Sequence, residues 1–133
     1  MGTRLAKDAI DVGLVTSDAE PLIRFYAGVA GLEPLEPLTI PNIGCIHKLA
    51  AGQSVLRIMV PTDSPTKPPP ASFSAITGIR YLTLEVKDIR AAVEAVRALG
   101  GSIALDAFEL RPGRFVAQVA DPDGNMIELG EDR

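Results

Sequence analysis

Two periods of apolar residues follow one another along the chain, and their order predicts its secondary structure. Between residues 10 and 15, apolar positions alternate with other positions, which is typical of a half-buried β-strand. From Leu22 onward, apolar residues recur every three or four positions, which indicates one buried face of a helix. Asp18 is a suitable N-cap residue, and Gly31 ends the pattern. This segment is therefore predicted to form a strand followed by a helix.

The same order of strand and helix occurs again 70 residues later in the chain. The offset places Asp18 on Asp88 and Gly31 on Gly101, so the cap and the end of the helix are both repeated. Each half then continues with three stretches of strand period, at 35–40, 44–50 and 54–60 in the first half and at 102–105, 114–119 and 126–129 in the second. The sequence therefore predicts an α+β fold made of two βαβββ modules.

The segment between the two halves is rich in proline and serine, which predicts an extended surface linker rather than a helix or strand. The predicted organisation is one domain over residues 1–133, with module 1 at 8–60, the linker at 61–77 and module 2 at 78–131. A lid over the mouth of a pocket is an alternative role for this linker.

Composition narrows the possible partners. The chain has 133 residues, of which 47% are hydrophobic and 23% charged, as in folded globular proteins. A net charge of −4, an aromatic content of 5% and the lack of a basic run argue against nucleic acid. No stretch approaches the roughly 18 apolar residues of a membrane span, and the first residues do not resemble a signal peptide. We therefore expect a soluble, cytoplasmic protein without nucleic-acid or membrane partners.

Cysteine and histidine occur once each, at Cys45 and His47. One cysteine cannot form an intrachain disulfide, and the two residues together are too few for a structural zinc site. On a strand the pair would share one face, so a nucleophilic Cys–His pair is one interpretation. No glycine-rich turn or helix N-terminus is placed to activate the thiol, so we favour a buried thiol beside a half-exposed histidine.

The segments GIRYLTLEVKDI, at 78–89, and DPDGNMIEL, at 121–129, together with the two βαβββ modules, resemble the vicinal oxygen chelate superfamily. This superfamily includes glyoxalase I, bleomycin-resistance proteins, extradiol dioxygenases and methylmalonyl-CoA epimerase. The resemblance covers nearly the whole chain and implies a curled mixed-sheet cup, with the helices outside and the substrate or metal inside. It also implies a homodimer, and it leaves the chemistry open because one scaffold hosts many reactions.

Metal-binding members of this superfamily take their ligands from the first and fourth strands of each module. On this sequence the resemblance places those positions at Asp11, Arg57, Tyr81 and Glu128. Arg57 has no lone pair to donate, and a neutral tyrosine is a poor ligand for a divalent ion. We therefore expect no cofactor. A divalent metal, if one binds, would have only Asp11 and Glu128 as ligands.

A charge-paired floor of the cup is the interpretation that we favour. Alternation along the strands directs Arg57 and Glu128 into the cup, where Arg57 would pair with Glu128 or with Asp11. The Tyr81 hydroxyl would bond to whichever carboxylate is left. One alternative is that this network only satisfies buried groups. In the functional alternative, Arg57 binds an anionic group of the substrate. Glu128 or Asp11 is then the general base, and Tyr81 donates to the developing charge.

Met59, Thr83 and Met126 are predicted to line the rest of the substrate site, because they share the inward faces of the strands. Two functions of different classes are compatible with such a site. The first is a lyase or isomerase that acts on a small carbonyl or carboxylate compound. The second is a non-catalytic protein that binds or sequesters a small molecule, as bleomycin-resistance proteins do. Glyoxalase I activity itself is disfavoured, because Arg57 and Tyr81 interrupt the usual metal set.

Overall fold

Residues 2–68 and 72–133 are described by the computed structural model, and they form two modules of the same architecture. The first module consists of β1 (Val12–Val15), α1 (Glu20–Ala30), β2 (Glu33–Ile40), β3 (Gly44–Ala51) and β4 (Ser54–Pro61). The second consists of β5 (Tyr81–Glu85), α2 (Ile89–Ala98), β6 (Ser102–Arg111), β7 (Arg114–Ala120) and β8 (Met126–Asp132). The predicted βαβββ repeat is confirmed.

Each module builds one four-stranded mixed sheet, and both sheets have the same topology. The strand order is β1-β4-β3-β2 in the first sheet and β5-β8-β7-β6 in the second. In each sheet the first strand of the module runs parallel to the last, and the other pairs are antiparallel. The fold class is therefore confirmed, but the two sheets stay separate and do not close into one cup within the chain.

The two helices begin in different ways. Asp88 caps α2 as predicted, since its side chain accepts a hydrogen bond of 3.1 Å from a backbone N–H in the first turn. The N-cap position of α1 is Ala19, which has no side-chain hydrogen bond, so the predicted cap at Asp18 is one residue too early. Asp18 instead accepts a 3.2 Å hydrogen bond from the N–H of Glu20. Gly31 ends α1 with a φ of 70°, which glycine adopts without strain.

The helices pack against each other and join the two modules in one hydrophobic core. Phe25 and Tyr26 of α1 are fully buried. The Phe25 ring packs directly against Gly101 of the second module. A Cβ atom at Gly101 would lie 2.6 Å from this ring, so there is no room for a side chain. The Tyr26 hydroxyl donates a 2.7 Å hydrogen bond to Asp121, which is 3% exposed. Burial raises the pKa of both side chains. The modules are thus joined through their helix-covered sides.

Alternate residues of each central strand point away from the helices, onto an open face of the sheet. Ile58 of β4 and Leu129 of β8 point toward the helices and are fully buried, as the alternation predicts. Their neighbours Arg57 and Glu128 therefore point the other way. We call the side of the first sheet that carries Arg57 face 1, and the side of the second sheet that carries Glu128 face 2.

Large apolar side chains are exposed on both open faces. Each is between 40% and 58% exposed in the single chain. They are Val15, Leu35 and Leu38 on face 1, and Tyr81, Leu105 and Phe108 on face 2. These side chains lie on the two faces that the helices leave uncovered.

Two strands of the second module extend further than the sequence predicts. The sequence predicts strands that end at 105 and 129, whereas β6 continues to Arg111 and β8 to Asp132. The pairing of β6 with β7 shifts register at three places, so the alternation of apolar residues is interrupted there.

Pro61, the first residue of the predicted linker, belongs to β4, and the other described residues of that segment, 62–68 and 72–77, contain no helix or strand. Residues 69–71, which the same prediction includes, lie outside the described residues. Phe73 stacks on Tyr81 with the ring centroids 4.1 Å apart, so the linker contacts the first strand of the second module. No helix in the described ranges is long and apolar enough to cross a membrane.

Candidate functional site

Asp11 and Arg57 form an ion pair on face 1. The Arg57 Nη1 atom lies 2.7 Å from Asp11 Oδ2. Asp11 also accepts hydrogen bonds from the Lys7 ammonium at 2.8 Å and from the backbone N–H of Val55 at 2.9 Å. The hydrogen bonds from Lys7, Arg57 and Val55, in that order, hold the pKa of Asp11 well below its usual value. Asp11 is therefore ionised, and of the two carboxylates expected to pair with Arg57, Asp11 and Glu128, it is Asp11 that does so.

Gly13 and Lys48 flank Arg57 across face 1. In the strand register, Gly13 of β1 lies beside Arg57 on one side and Lys48 of β3 on the other. Residues paired directly across neighbouring strands project to the same face. Lys48 is not among the site residues that the sequence predicts. Alternation along β3 separates it from the apolar Leu49, but only the register shows that it neighbours Arg57.

Glu128 occupies the centre of face 2. Its Oε1 atom accepts a 3.3 Å hydrogen bond from the Thr83 hydroxyl. Thr83 of β5 and Gln118 of β7 lie directly beside it in the register, one on each side. The Nη2 atom of Arg114 is 3.9 Å from the same Oε1 atom. Within the described residues, Glu128 Oε2 makes no hydrogen bond, so this oxygen is available to a bound molecule.

Arg114 is a residue of face 2 that the sequence analysis missed. Its guanidinium crosses β8 over Gly130 and makes two hydrogen bonds with Glu85, one of them at 2.9 Å, and one with Asp132 at 3.2 Å. The hydrogen bonds with Glu85 raise the pKa of Arg114 further and lower that of Glu85. Gly130, two residues after Glu128, is the sequence feature that could have indicated Arg114, since glycine within a strand often marks the close approach of another group.

Tyr81 lies at the edge strand of face 2, beside Met126. Thr83, rather than Tyr81, donates the hydrogen bond to Glu128, so the bond expected from the Tyr81 hydroxyl is not formed. Arg57 and Glu128 also do not meet, because they belong to different sheets of the chain. The structure therefore divides the predicted site residues into two groups. They are Asp11, Arg57 and Met59 around face 1, and Tyr81, Thr83, Met126 and Glu128 on face 2.

The donor set does not fit a divalent metal within one chain. Asp11 and Glu128 are separated on the two faces, and both oxygens of Asp11 already accept hydrogen bonds. Glu128 lies beside Arg114, whose charge repels a cation. In the ranges 2–68 and 72–133, no group of three or more His, Cys, Asp or Glu side chains could hold a metal ion.

Cys45 and His47 share one side of β3, as predicted, with Sγ and Nε2 3.6 Å apart. They pair with Val60 and Ile58, which places them on the helix-facing side of the sheet. The pair is therefore on the opposite side of the sheet from Arg57 and takes no part in face 1.

A cleft of about 710 Å³ lies between the two modules, next to the edge strands β1 and β5. Aliphatic side chains from the helix-facing sides supply much of its lining, including Val12, Leu56, Leu82 and Leu84. Neither Arg57 nor Glu128 lines this cleft. Thr83 and Glu85 of face 2 also line the cleft, so it reaches the edge of that face.

Comparison with protein families gives one match that covers most of the chain. The family model described as the glyoxalase/bleomycin resistance protein/dioxygenase superfamily matches residues 10–129. A relative from Vibrio parahaemolyticus, named a probable lactoylglutathione lyase, is 39% identical over 54 residues. That match covers 40% of this chain and 39% of the relative, so it spans about two fifths of either protein.

Solved structures show the same fold at low sequence identity. A glyoxalase family protein from Bacillus cereus has a TM-score of 0.84 at 16% identity, over 98% of this chain and 96% of that chain. A fosfomycin resistance protein from Listeria monocytogenes has a TM-score of 0.70 at 12% identity, over 100% and 94% of the two chains. With the family match over residues 10–129, these findings show that the chain belongs to the glyoxalase/bleomycin resistance protein/dioxygenase superfamily.

Proposed function

We propose that this protein is a lyase- or isomerase-type enzyme that acts on a small carbonyl or carboxylate compound. The observation that carries the proposal is one hydrogen-bonded charged group on each open face, Arg57 on face 1 and Glu128 on face 2. Charged groups act more strongly on a molecule in apolar surroundings than in water. Together the two faces supply a cation for an anionic group and a carboxylate for proton removal.

Glu128 is the better general base of the two carboxylates. Both oxygens of Asp11 accept hydrogen bonds, so Asp11 positions Arg57. Thr83 holds Glu128 Oε1, which leaves Oε2 to take a proton from the carbon next to a substrate carbonyl. The electron pair of the broken C–H bond moves onto the carbonyl oxygen, where Arg57 and the Tyr81 hydroxyl stabilise the enolate. Return of the proton to another atom completes an isomerisation, and departure of a leaving group completes an elimination.

The proposal includes a homodimer, because Arg57 and Glu128 lie on different sheets of one chain. Face 1 of one copy would cover face 2 of the other and bring the two residues into one site. The exposed apolar side chains support this pairing, since their burial between copies is favourable. The charges of the two faces also support this pairing, because they are mainly positive around Arg57 and mainly negative around Glu128. The charged groups are Lys7, Asp11, Glu33, Lys48 and Arg57 on one side, and Glu85, Arg111, Arg114, Glu128 and Asp132 on the other.

The names of two similar proteins suggest molecules with which the proposed function can be tested. The Vibrio relative is named for lactoylglutathione and the Listeria protein for fosfomycin. S-lactoylglutathione carries carboxylates and fosfomycin carries a phosphonate, so both present an oxyanion of the kind that Arg57 is proposed to bind.

Assays of S-lactoylglutathione formation and cleavage, with calorimetric titration of both molecules, test the proposed function. We expect Glu128→Gln to lower turnover by about 100-fold or more with little change in affinity, because it removes the base. Arg57→Ala should weaken affinity. Arg24→Ala, an exposed arginine of α1, is the control and should change neither quantity. A wild-type protein that neither binds nor converts either molecule would contradict the proposal.

A binding protein without turnover is the second candidate, and the exposed apolar side chains of both faces favour it. In that case the wild-type protein binds one of the two molecules and converts neither. Arg57→Ala then lowers affinity, and Glu128→Gln has no turnover to remove.

Light scattering tests the pairing of the two faces. Leu38→Asp introduces a charge on face 1 and Phe108→Asp introduces one on face 2, and each should shift the dimer toward the monomer. Both side chains are exposed in the single chain, so the fold should tolerate the changes. Ile43→Asp, in the turn between β2 and β3, has similar exposure and is the control. A monomeric wild type, or a dimer weakened by only one of the face variants, would refute this pairing.

Mixed dimers test whether the site is shared between copies. An Arg57→Ala chain paired with a Glu128→Gln chain contains one site with both wild-type residues if the faces are exchanged. At a substrate concentration below saturation, the mixed dimer should then be more active than a dimer of either variant alone. No recovery from a dimer that is shown to be mixed would place the site within one chain.

A further inference from the structure

We propose that Gly13, Arg57 and Lys48 form a seat for an oxyanion group of the ligand, and that Lys48 is the cation that is free to bind it. This inference rests on the proposed function, because the anion would occupy the same face as Arg57. It adds Gly13 and Lys48 to the proposed site as residues that determine which molecules bind there.

Lys48 lies directly across from Arg57 in the antiparallel pair of β3 and β4. Side chains in this relation share a face, with their Cβ atoms about 5 Å apart, and like charges placed so destabilise a sheet. An anion bound between the ammonium and the guanidinium would remove this repulsion. The pair therefore has an electrostatic reason to bind an oxyanion.

The two cations differ in what they already contact. Arg57 is 2.7 Å from Asp11, whose charge offsets part of its own. Among the described residues, no carboxylate lies within 4.0 Å of the Lys48 ammonium. Lys7 and Arg57 both contact Asp11, so two cations share this carboxylate, and Lys48 lies beside them; Glu33, also on face 1, makes no ion pair with Lys48. An incoming anion thus finds its uncompensated partner in Lys48, while Asp11 keeps the Arg57 fork in place.

Gly13 provides room on the other side of Arg57. It pairs with Arg57 across β1 and β4, and a Cβ atom built on it would meet nothing within 4 Å. Its φ is not in the left-handed region, so the backbone does not require glycine at this position. The missing side chain therefore leaves open space beside the guanidinium, on the face where the ligand is proposed to bind.

A carboxylate and a phosphonate both suit such a seat. The planar guanidinium of Arg57 can bond to two oxygens at once, whereas the ammonium of Lys48 acts as a compact charge that accepts several geometries. S-lactoylglutathione and fosfomycin separate these two kinds of oxyanion, so titration with each shows which one the seat prefers.

Calorimetric titration of the Lys48 variants tests the seat. We expect Lys48→Met to weaken binding by about ten-fold or more, the usual worth of a hydrogen bond to a charged group, and Lys48→Arg to restore most of it. Lys67→Met, which removes an exposed lysine of the linker, is the matched control. Unchanged binding in Lys48→Met, with binding weakened in Arg57→Ala, would overturn the seat and leave the proposed function standing.

Gly13→Val tests the open space independently of charge. Valine suits a strand better than glycine, so the unfolding midpoint should stay the same or rise. Affinity for both molecules should fall, because the new side chain occupies the seat. Unchanged affinity in Gly13→Val would show that the ligand does not lie beside this residue.

Inorganic phosphate tests the seat without either organic molecule. Its titration into ¹⁵N-labelled protein should shift the backbone amide signals of Gly13 and Lys48, and Lys48→Met should remove the shift at Gly13. If the wild type binds neither organic molecule but shows this response, the proposed function fails and the anion seat stands. If phosphate at millimolar concentration shifts neither signal, the seat is refuted.

Discussion

Gly130 allows the Arg114 guanidinium to lie across β8 and reach Glu85 on β5. Its φ is not in the left-handed region, so its role is to leave space. A Cβ atom here would overlap the guanidinium and the Glu85 carboxylate. Because both are ends of flexible side chains, they can move aside without displacing the backbone. The ion pair that links three strands therefore depends on this glycine, whereas the sheet itself does not.

Gly130→Ala should break the ion pair and lower the free energy of unfolding at pH 7 relative to Gly13→Ala, by a small amount because the Glu85 side chain is 55% exposed. Arg114 lowers the pKa of Glu85, so this contribution exists above the ordinary pKa and is lost as the pH falls through the lowered value. Denaturant unfolding at pH 7 and at about pH 2 measures it. Gly13→Ala, whose Cβ meets nothing, is the control. A loss of equal size at both pH values would contradict this account.

At the scale of elements, the two helices offer a matched comparison of N-terminal residues. Asp88→Ala removes the side-chain cap of α2 and should lower the free energy of unfolding by about 1 kcal/mol. Asp18→Ala should lower the free energy of unfolding by a smaller amount, because Asp18 precedes the N-cap position of α1. Thermal or denaturant unfolding of both variants gives the comparison. A larger loss from Asp18→Ala would show that Asp18 is the more important cap.

The elements themselves could be predicted because their periods are local properties of the chain. The predicted strands at 44–50 and 114–119 differ from β3 and β7 by one residue each, and Ile58 and Leu129 are buried as expected. Strand β6 is six residues longer than predicted because its bulges interrupt the alternation. Local patterns fail where a strand departs from regular pairing.

The site was only partly predictable, because ion pairs depend on how distant strands are placed. Alternation directs Arg57 and Glu128 away from the helices, but both were expected inside one cup, and alternation cannot show that the two sheets stay apart. Lys48 becomes part of the site only through its register with Arg57. Arg114 pairs with a part of β8, at Asp132, that lies beyond the predicted end of that strand. Tertiary placement and register, rather than residue type, supply the missing information.

At the scale of the whole molecule, the modules are joined by apolar packing and by the hydrogen bond from Tyr26 to Asp121. Tyr26→Phe should lower the free energy of unfolding by about 1–2 kcal/mol, because the buried Asp121 loses one donor while Asn125 retains its own. Tyr81→Phe is the control, since the Tyr81 hydroxyl makes no hydrogen bond in the described part of the chain. Denaturant unfolding measures both. Equal losses would show that the hydroxyl contact does not stabilise the joined modules.

The proposed dimer also leads to a prediction about metal ions. Even when face 1 meets face 2, Arg57 and Arg114 accompany the two carboxylates Asp11 and Glu128. We therefore expect micromolar Ni²⁺, Zn²⁺, Mn²⁺ or Fe²⁺ to leave the unfolding temperature of the wild type unchanged. Metal analysis of protein purified without chelator is the companion measurement. A rise of several degrees that Glu128→Gln abolishes would contradict this prediction.

The stacking of Phe73 on Tyr81 has an optical consequence. The chain contains no tryptophan and two tyrosines, and the hydroxyl of the other, Tyr26, is bound to a carboxylate, a contact that quenches tyrosine emission. Most of the intrinsic fluorescence should therefore come from the single phenol ring at the edge of face 2. A molecule or a second copy that displaces Phe73 would change this emission, so the unmodified protein carries its own reporter of occupancy.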